Sequence, residues 1–333
     1  MKKTLIKHII FALFPYVLTG CFPEDKKVIP LDLDINEIPY SMYDTQTWFR
    51  LSDRTVVSHN AFTGWDLGFE STGDGHHIIL NTSRFMHAGK TGSHDFEAVT
   101  SNICDTMVYD DSSGDLSMTA IGDWADFTDP ANPVYTGMVY IIDLGTDNNG
   151  HPYGLKKVMF NSYEDNVYSF RFSNLDGTDD HTFDLEADPS RSFTMFSFSD
   201  GGQTVSVQPP DSDWDLCFTQ YSTILYDDRN VATPYLVRGV YSNMDGTLAA
   251  RDTVNSFDAI TYANIGDYTY SDAQDAIGYE WKDFNDDTYR INPDIFYIIR
   301  DKSGEYYKLR FTGFYGPTGE KGYASFVLVR LTE

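Results

Sequence analysis

Trp65-Asp66-Leu67-Gly68-Phe69 returns later in the chain as Trp214-Asp215-Leu216-Cys217-Phe218. Other marks recur in the same order. Ile121-Gly122-Asp123-Trp124-Ala125-Asp126-Phe127 comes back as Ile277-Gly278-Tyr279-Glu280-Trp281-Lys282-Asp283-Phe284, one residue longer. Val139-Tyr140-Ile141-Ile142 matches Phe296-Tyr297-Ile298-Ile299, and Lys156-Lys157 matches Lys308, each ahead of an aromatic strand. A period this long duplicates a whole domain, because solenoid units run only about 20–50 residues. The copies are placed at 41–180 and 190–333, with the boundary in the turn-rich stretch 176–190.

The chain holds 23 Tyr, 23 Phe and 5 Trp, and its alternation is that of strands. Tyr168-Ser169-Phe170-Arg171-Phe172-Ser173 puts aromatics on one face and polar residues on the other, and Tyr307-Lys308-Leu309-Arg310-Phe311 does the same. Asp301-Lys302-Ser303-Gly304 reads as a hairpin turn, and Gly316-Pro317-Thr318-Gly319 opens another loop. Asp272 reads as the cap of a short helix carrying Ala273, Ala276, Ile277 and Trp281. The expected fold is mainly β, two similar antiparallel β lobes with a few short helices. Within the repeated pentapeptide, Trp65, Leu67 and Phe69 share one strand face, as do Trp214, Leu216 and Phe218. Asp66 and Asp215 face the other way, placed to tie down a neighbouring turn.

Lys2, Lys3 and Lys7 precede an apolar run, Ile9 to Leu18, that is short of the roughly 20 residues of a membrane span. Leu18-Thr19-Gly20-Cys21 then resembles the lipobox of bacterial lipoproteins. That resemblance implies a signal peptide at 1–20, lipidation at Cys21 and a tether at 21–40. Glu24-Asp25 resemble the acidic tract that exports Bacteroidetes lipoproteins to the outer surface of the outer membrane. The formal charge is −26, and losing three lysines and no acid with residues 1–20 leaves −29. Such a chain repels phosphate backbones and anionic bilayers, so nucleic acid is excluded as a partner and membrane contact runs through the lipid alone. Cys104 and Cys217 do not occupy corresponding positions in the two copies and read as free thiols.

No nucleophile elbow, metalloprotease helix, Walker loop or dinucleotide fingerprint is present, and no enzyme is expected. Ser93-His94-Asp95 has the letters of a triad, but triad members converge from separate elements. The copies differ most in histidine. His76, His77, Met86, His87 and His94 crowd the first copy, whereas 219–276 contains no histidine and a single methionine, Met244. Imidazole and thioether are the side chains that ligate haem iron or soft metals.

The ordered motifs at 214–218, 277–284, 297–299, 306–311 and 319–323 resemble the HmuY family of Bacteroidetes surface lipoproteins. The resemblance is closest over about 190–331 and extends in weaker form back to about 46. It implies a largely β hemophore-like protein that binds haem, takes it from a host haemoprotein and passes it to a TonB-dependent outer-membrane receptor in iron acquisition. Family axial ligands are paired histidines, or methionines in some relatives. No matching pair can be placed here, so the candidate ligands are His76, His77, Met86, His87 and His94. The alternative is a cofactor-free surface binding module for a protein or glycan ligand.

Overall fold

The computed structural model describes residues 34–73 and 75–333. The signal peptide, Cys21 and the tether up to residue 33 lie outside the described residues. All the paired strands are antiparallel, and helical structure among the described residues is limited to short 3-10 turns such as Thr82–Arg84 and Tyr262–Asp267. The fold is mainly β, as expected.

Two lobes repeat one plan. In the first, the strands His181–Glu186, Val167–Asn174, Leu155–Glu164, Val139–Asp143 and His87–Lys90 lie side by side in that order. In the second, the same places are taken by Ile35–Glu37, Lys321–Leu331, Tyr306–Tyr315, Phe296–Arg300 and Leu248–Asp252. Turn chemistry fixes the register. Asp165 and Asn166, at φ of 50° and 65°, make the two-residue connection between Leu155–Glu164 and Val167–Asn174, a geometry matched to strand twist and tolerated best by Asn, Asp and Gly.

Each lobe's second, four-stranded sheet is built around its Trp-Asp-Leu strand. Leu67–Glu70 pairs with Phe193–Ser197, and Leu216–Tyr226 pairs with Thr45–Arg50. The hairpin that precedes each Trp-Asp-Leu strand in sequence therefore packs on the other copy's strand. The first lobe is continuous, from Trp65 to about 207. The second is assembled from both ends of the described chain, 35–61 and about 214–331. The packed lobes thus cut the chain differently from the linear repeats. Ile35–Glu37, within the stretch read as tether, completes the second lobe's five-stranded sheet.

Each core sits between its lobe's two sheets. The first gathers Leu67, Phe69, Trp124, Phe170 and Phe196, and the second Phe49, Leu216, Phe218, Trp281 and Phe326. Full burial of each such side chain contributes about 1.5–3 kcal/mol. The helix expected over 272–281 is absent. Gly278 has φ +62° and bridges Val240, while Gln274 accepts the Ser242 N–H at 2.7 Å. Backbone groups a helix would pair internally are used to edge the long strand Ala232–Ser242.

Candidate functional site

The five candidate ligands occupy separate surroundings. Met86 is fully buried in the first core, so its thioether faces hydrocarbon packing. His87 follows on the opposite side of the strand, stacked on Tyr109 with ring centroids 4.9 Å apart. Its Nε2 lies 3.9 Å from Asp143 Oδ2, and its Nδ1 is buried without a hydrogen-bond partner among the described residues. Burial, and after it the Asp143 charge, raises the Tyr109 pKa. His94 is exposed and bonds through Nδ1 to the Thr136 carbonyl at 2.9 Å. Ser93 Oγ bonds to the backbone of Asp95, so the adjacent triad letters form a turn.

His76 and His77 lie in the connection between Leu67–Glu70 and Ile78–Leu80, where the second lobe has the long arm of Leu216–Tyr226 and Ala232–Ser242. His76, at φ +51°, turns its ring back among Phe127 and Tyr163, with centroids 4.5 and 4.0 Å away. Its carbonyl accepts Trp124 Nε1–H at 2.8 Å. His77 is held by one carboxylate oxygen. Glu70 Oε2 accepts the His77 backbone N–H at 2.8 Å and lies 2.7 Å from His77 Nδ1. Glu70 is 9% exposed at its side chain and His77 25%. A proton on Nδ1 directed at Glu70 leaves the Nε2 lone pair free, the arrangement by which a carboxylate orients a ligating imidazole. The carboxylate partner was not read from the sequence, although its seven-residue separation from His77 fits a hairpin.

Between the lobes lies a cavity of about 100 Å³. Its walls come from corresponding positions of the two copies, Trp65 with Trp214, Trp48 with Met195 and Ile79 with Tyr241. Here the structure departs from the expected strand faces. Leu67, Phe69, Leu216 and Phe218 enter the cores, but Trp65 and Trp214 belong to two seam clusters, with Phe193 and Met195 and with Trp48 and Cys217 respectively. Gln46 holds Trp65 at the seam, its Oε1 accepting Trp65 Nε1–H at 2.8 Å.

Asp110 also lines the cavity. It accepts the N–H of Leu80 at 2.6 Å and of Ala120 at 2.7 Å, while burial raises its pKa to about 6. Among the described residues Cys104 and Cys217 are both free, and burial raises both thiol pKa values. No group of three or more His, Cys, Asp or Glu among the described residues is arranged to hold a metal ion. No helix among them is long and apolar enough to cross a membrane.

Comparison with known proteins agrees with the repeat motifs. Residues 190–328 match the family model described as HmuY protein. A comparison with curated protein sequences gives no match. Among solved structures, the chain is similar to apo PinO from Porphyromonas gingivitis at 10% identity, covering 90% of this chain and 97% of that one with a TM-score of 0.30. It is also similar to the apo HmuY analog of Tannerella forsythia at 13% identity, covering 54% of this chain and 95% of that one with a TM-score of 0.20. Over residues 190–328, the chain is similar to the HmuY family.

Proposed function

We propose that this protein is a haem-binding surface lipoprotein, anchored in the outer membrane through lipid on Cys21, that hands haem to a TonB-dependent receptor. The likeness of residues 190–328 to the HmuY family supplies the class of ligand, and the observation that carries the site is the His77–Glu70 pair. One imidazole nitrogen is engaged by a largely buried carboxylate and the other stays available, which suits the donor chemistry of haem iron. Met86 lies inside a packed core, and His94 is exposed, its Nδ1 on a neutral loop carbonyl instead of a largely buried carboxylate. His87, half-buried against Tyr109, remains the second candidate. The seam cavity does not fit haem. Pockets for drug-sized ligands run about 300–1,000 Å³, and Asp110, Asp111 and Asp115 would face the propionates.

The test is titration of haemin into the chain lacking residues 1–21, oxidised and reduced. A saturable Soret band at one equivalent in the parent, lost in His77→Ala and kept in His94→Ala, is the expected result. A band that survives both His77→Ala and His87→Ala overturns the site. The broad absorbance of free haemin in the parent itself overturns haem binding and leaves a cofactor-free binding module.

A further inference from the structure

We infer that the seam cavity is a second binding site, for a small organic cation with an apolar body and one oxygen acceptor. The cavity is built rather than left over. Three of the chain's five tryptophans line it, and two of those indoles are already satisfied within the protein. Trp48 Nε1–H donates to Asn60 Oδ1 at 2.9 Å and Trp65 Nε1–H to Gln46 Oε1 at 2.8 Å. The third is not. Trp214 is 8% exposed and its Nε1–H has no partner among the described residues, and Ser242, 1% exposed, leaves its Oγ likewise unpaired beside the same space. A buried donor without an acceptor is costly, and a ligand oxygen in the cavity would relieve that cost.

Charge decides the rest of the ligand. Asp110, Asp111 and Asp115 line the cavity, and among the described residues no Lys, Arg or His does. Asp111 Oδ1 and Asp115 Oδ1 are used to receive the N–H groups of Ser113 and Ser117, which leaves each carboxylate a second oxygen. Indole faces add attraction for a cation. Carboxylates and indoles together reject anions and favour an ammonium. The copies differ here in a directed way, since the first lobe supplies all three acids while the second supplies the unpaired Trp214 and Ser242. This site does not depend on the haem reading.

The experiment uses the full chain in detergent, with calorimetry and tryptophan fluorescence read together. Tyramine carries the inferred features, 2-phenylethylamine lacks the oxygen, and 4-hydroxyphenylacetate reverses the charge. Saturable tyramine binding is expected, with both other probes about tenfold weaker or more. Asp111→Asn with Asp115→Asn keeps the turn acceptors and should weaken tyramine about tenfold. Leu116→Phe, at the partly buried rim, should abolish binding while leaving the melting temperature near that of the parent. Equal binding of 4-hydroxyphenylacetate, or no saturable signal from any probe, overturns the inference.

Discussion

Asp66 Oδ2 accepts the backbone N–H of Phe198 at 2.7 Å, across 132 residues of chain. Asp215 Oδ2 does the same for Leu51, also at 2.7 Å. Each aspartate thus anchors the hairpin that precedes the other copy's Trp-Asp-Leu strand, and the backbone confirms the register. Asp66 N–H donates to Phe196 at 2.7 Å and Asp215 N–H to Phe49 at 2.9 Å. The two sites differ, because Asp66 also pairs with the buried Arg84 and accepts the Ser197 hydroxyl at 3.0 Å. Asp215→Ala should cost about 1–3 kcal/mol, the value of a charge-assisted bond with its partner left buried. Asp66→Ala strands a buried guanidinium as well and should cost about 3–5 kcal/mol. Urea unfolding of both variants checks the order, and equal losses would mean that Arg84 finds another partner.

The Trp-Asp-Leu repeat made the two lobes and the aspartate anchors legible, because alternation along a strand is a local property. Which hairpin packs on which copy was not legible. Phe49 and Phe196 are interchangeable in size and pattern, and only the tertiary arrangement assigns each to the other copy's strand. The stretch 272–281 has helical spacing, but Gly278 and the free edge of Ala232–Ser242 offered its backbone better partners. The histidine enrichment was visible as composition. Its dispersal into five surroundings follows from strand alternation, which turns Met86 inward and His87 outward, and from the positive φ at His76.

Asp110 should give stability an acid-side gain. Its carboxyl titrates at about 6 in the folded protein, against 3.8 when unperturbed. A raised carboxylate pKa means that its contribution is complete below the unfolded pKa and is lost as pH rises through the folded one. At about 1.4 kcal/mol per pKa unit, the loss between pH 3 and 7 is about 3 kcal/mol. Chemical unfolding across that range should show Asp110→Asn with a pH slope smaller by this amount, whatever its constant offset. Parallel profiles would show that the buried carboxyl does not change protonation in this window.

Lys157 and Lys308 are equivalent fasteners. Lys157 Nζ donates to the carbonyls of Phe96 and Val99 at 2.9 and 3.0 Å, and Lys308 Nζ to those of Phe257 and Ile260 at 2.8 and 2.9 Å. Both ammonium groups lie 4.6 Å from a phenylalanine ring centroid. Of Lys156 and Lys157, it is therefore Lys157 that corresponds to Lys308. Methionine at either site keeps the aliphatic stem and leaves two carbonyls without their donor, a loss of about 2–3 kcal/mol. Hydrogen exchange should quicken over 96–99 in Lys157→Met and over 257–260 in Lys308→Met, each without change in the other loop. Exchange that rises in both loops together would mean the lobes open as one unit.

Gln46 is the polar hinge of the seam. Its amide uses both ends, with Nε2 donating to Ser83 Oγ and Thr219 Oγ1 at 3.1 and 3.2 Å and Oε1 accepting from Trp65 and Asn60 at 2.8 and 3.0 Å. Ser83 belongs to the first lobe and Thr219 to the second, and Gln220 Nε2 reinforces the join by donating to the Ser83 carbonyl at 2.8 Å. The Gln46 amide is satisfied at both ends, and a buried amide so held specifies one arrangement, whereas one left partly unpaired is costly. Gln46→Leu fills similar volume but strands the indole N–H of Trp65, so a loss of about 2–4 kcal/mol follows from that donor and its neighbours. Because the change lies at the seam, the lobes should lose coupling before either core melts. Calorimetry is therefore expected to show one transition in the parent and two in Gln46→Leu, while Phe218→Ala, inside one core, lowers the melting temperature without that splitting. A single transition in both variants would place the cooperativity of the molecule in the exchanged hairpins instead of in the polar seam.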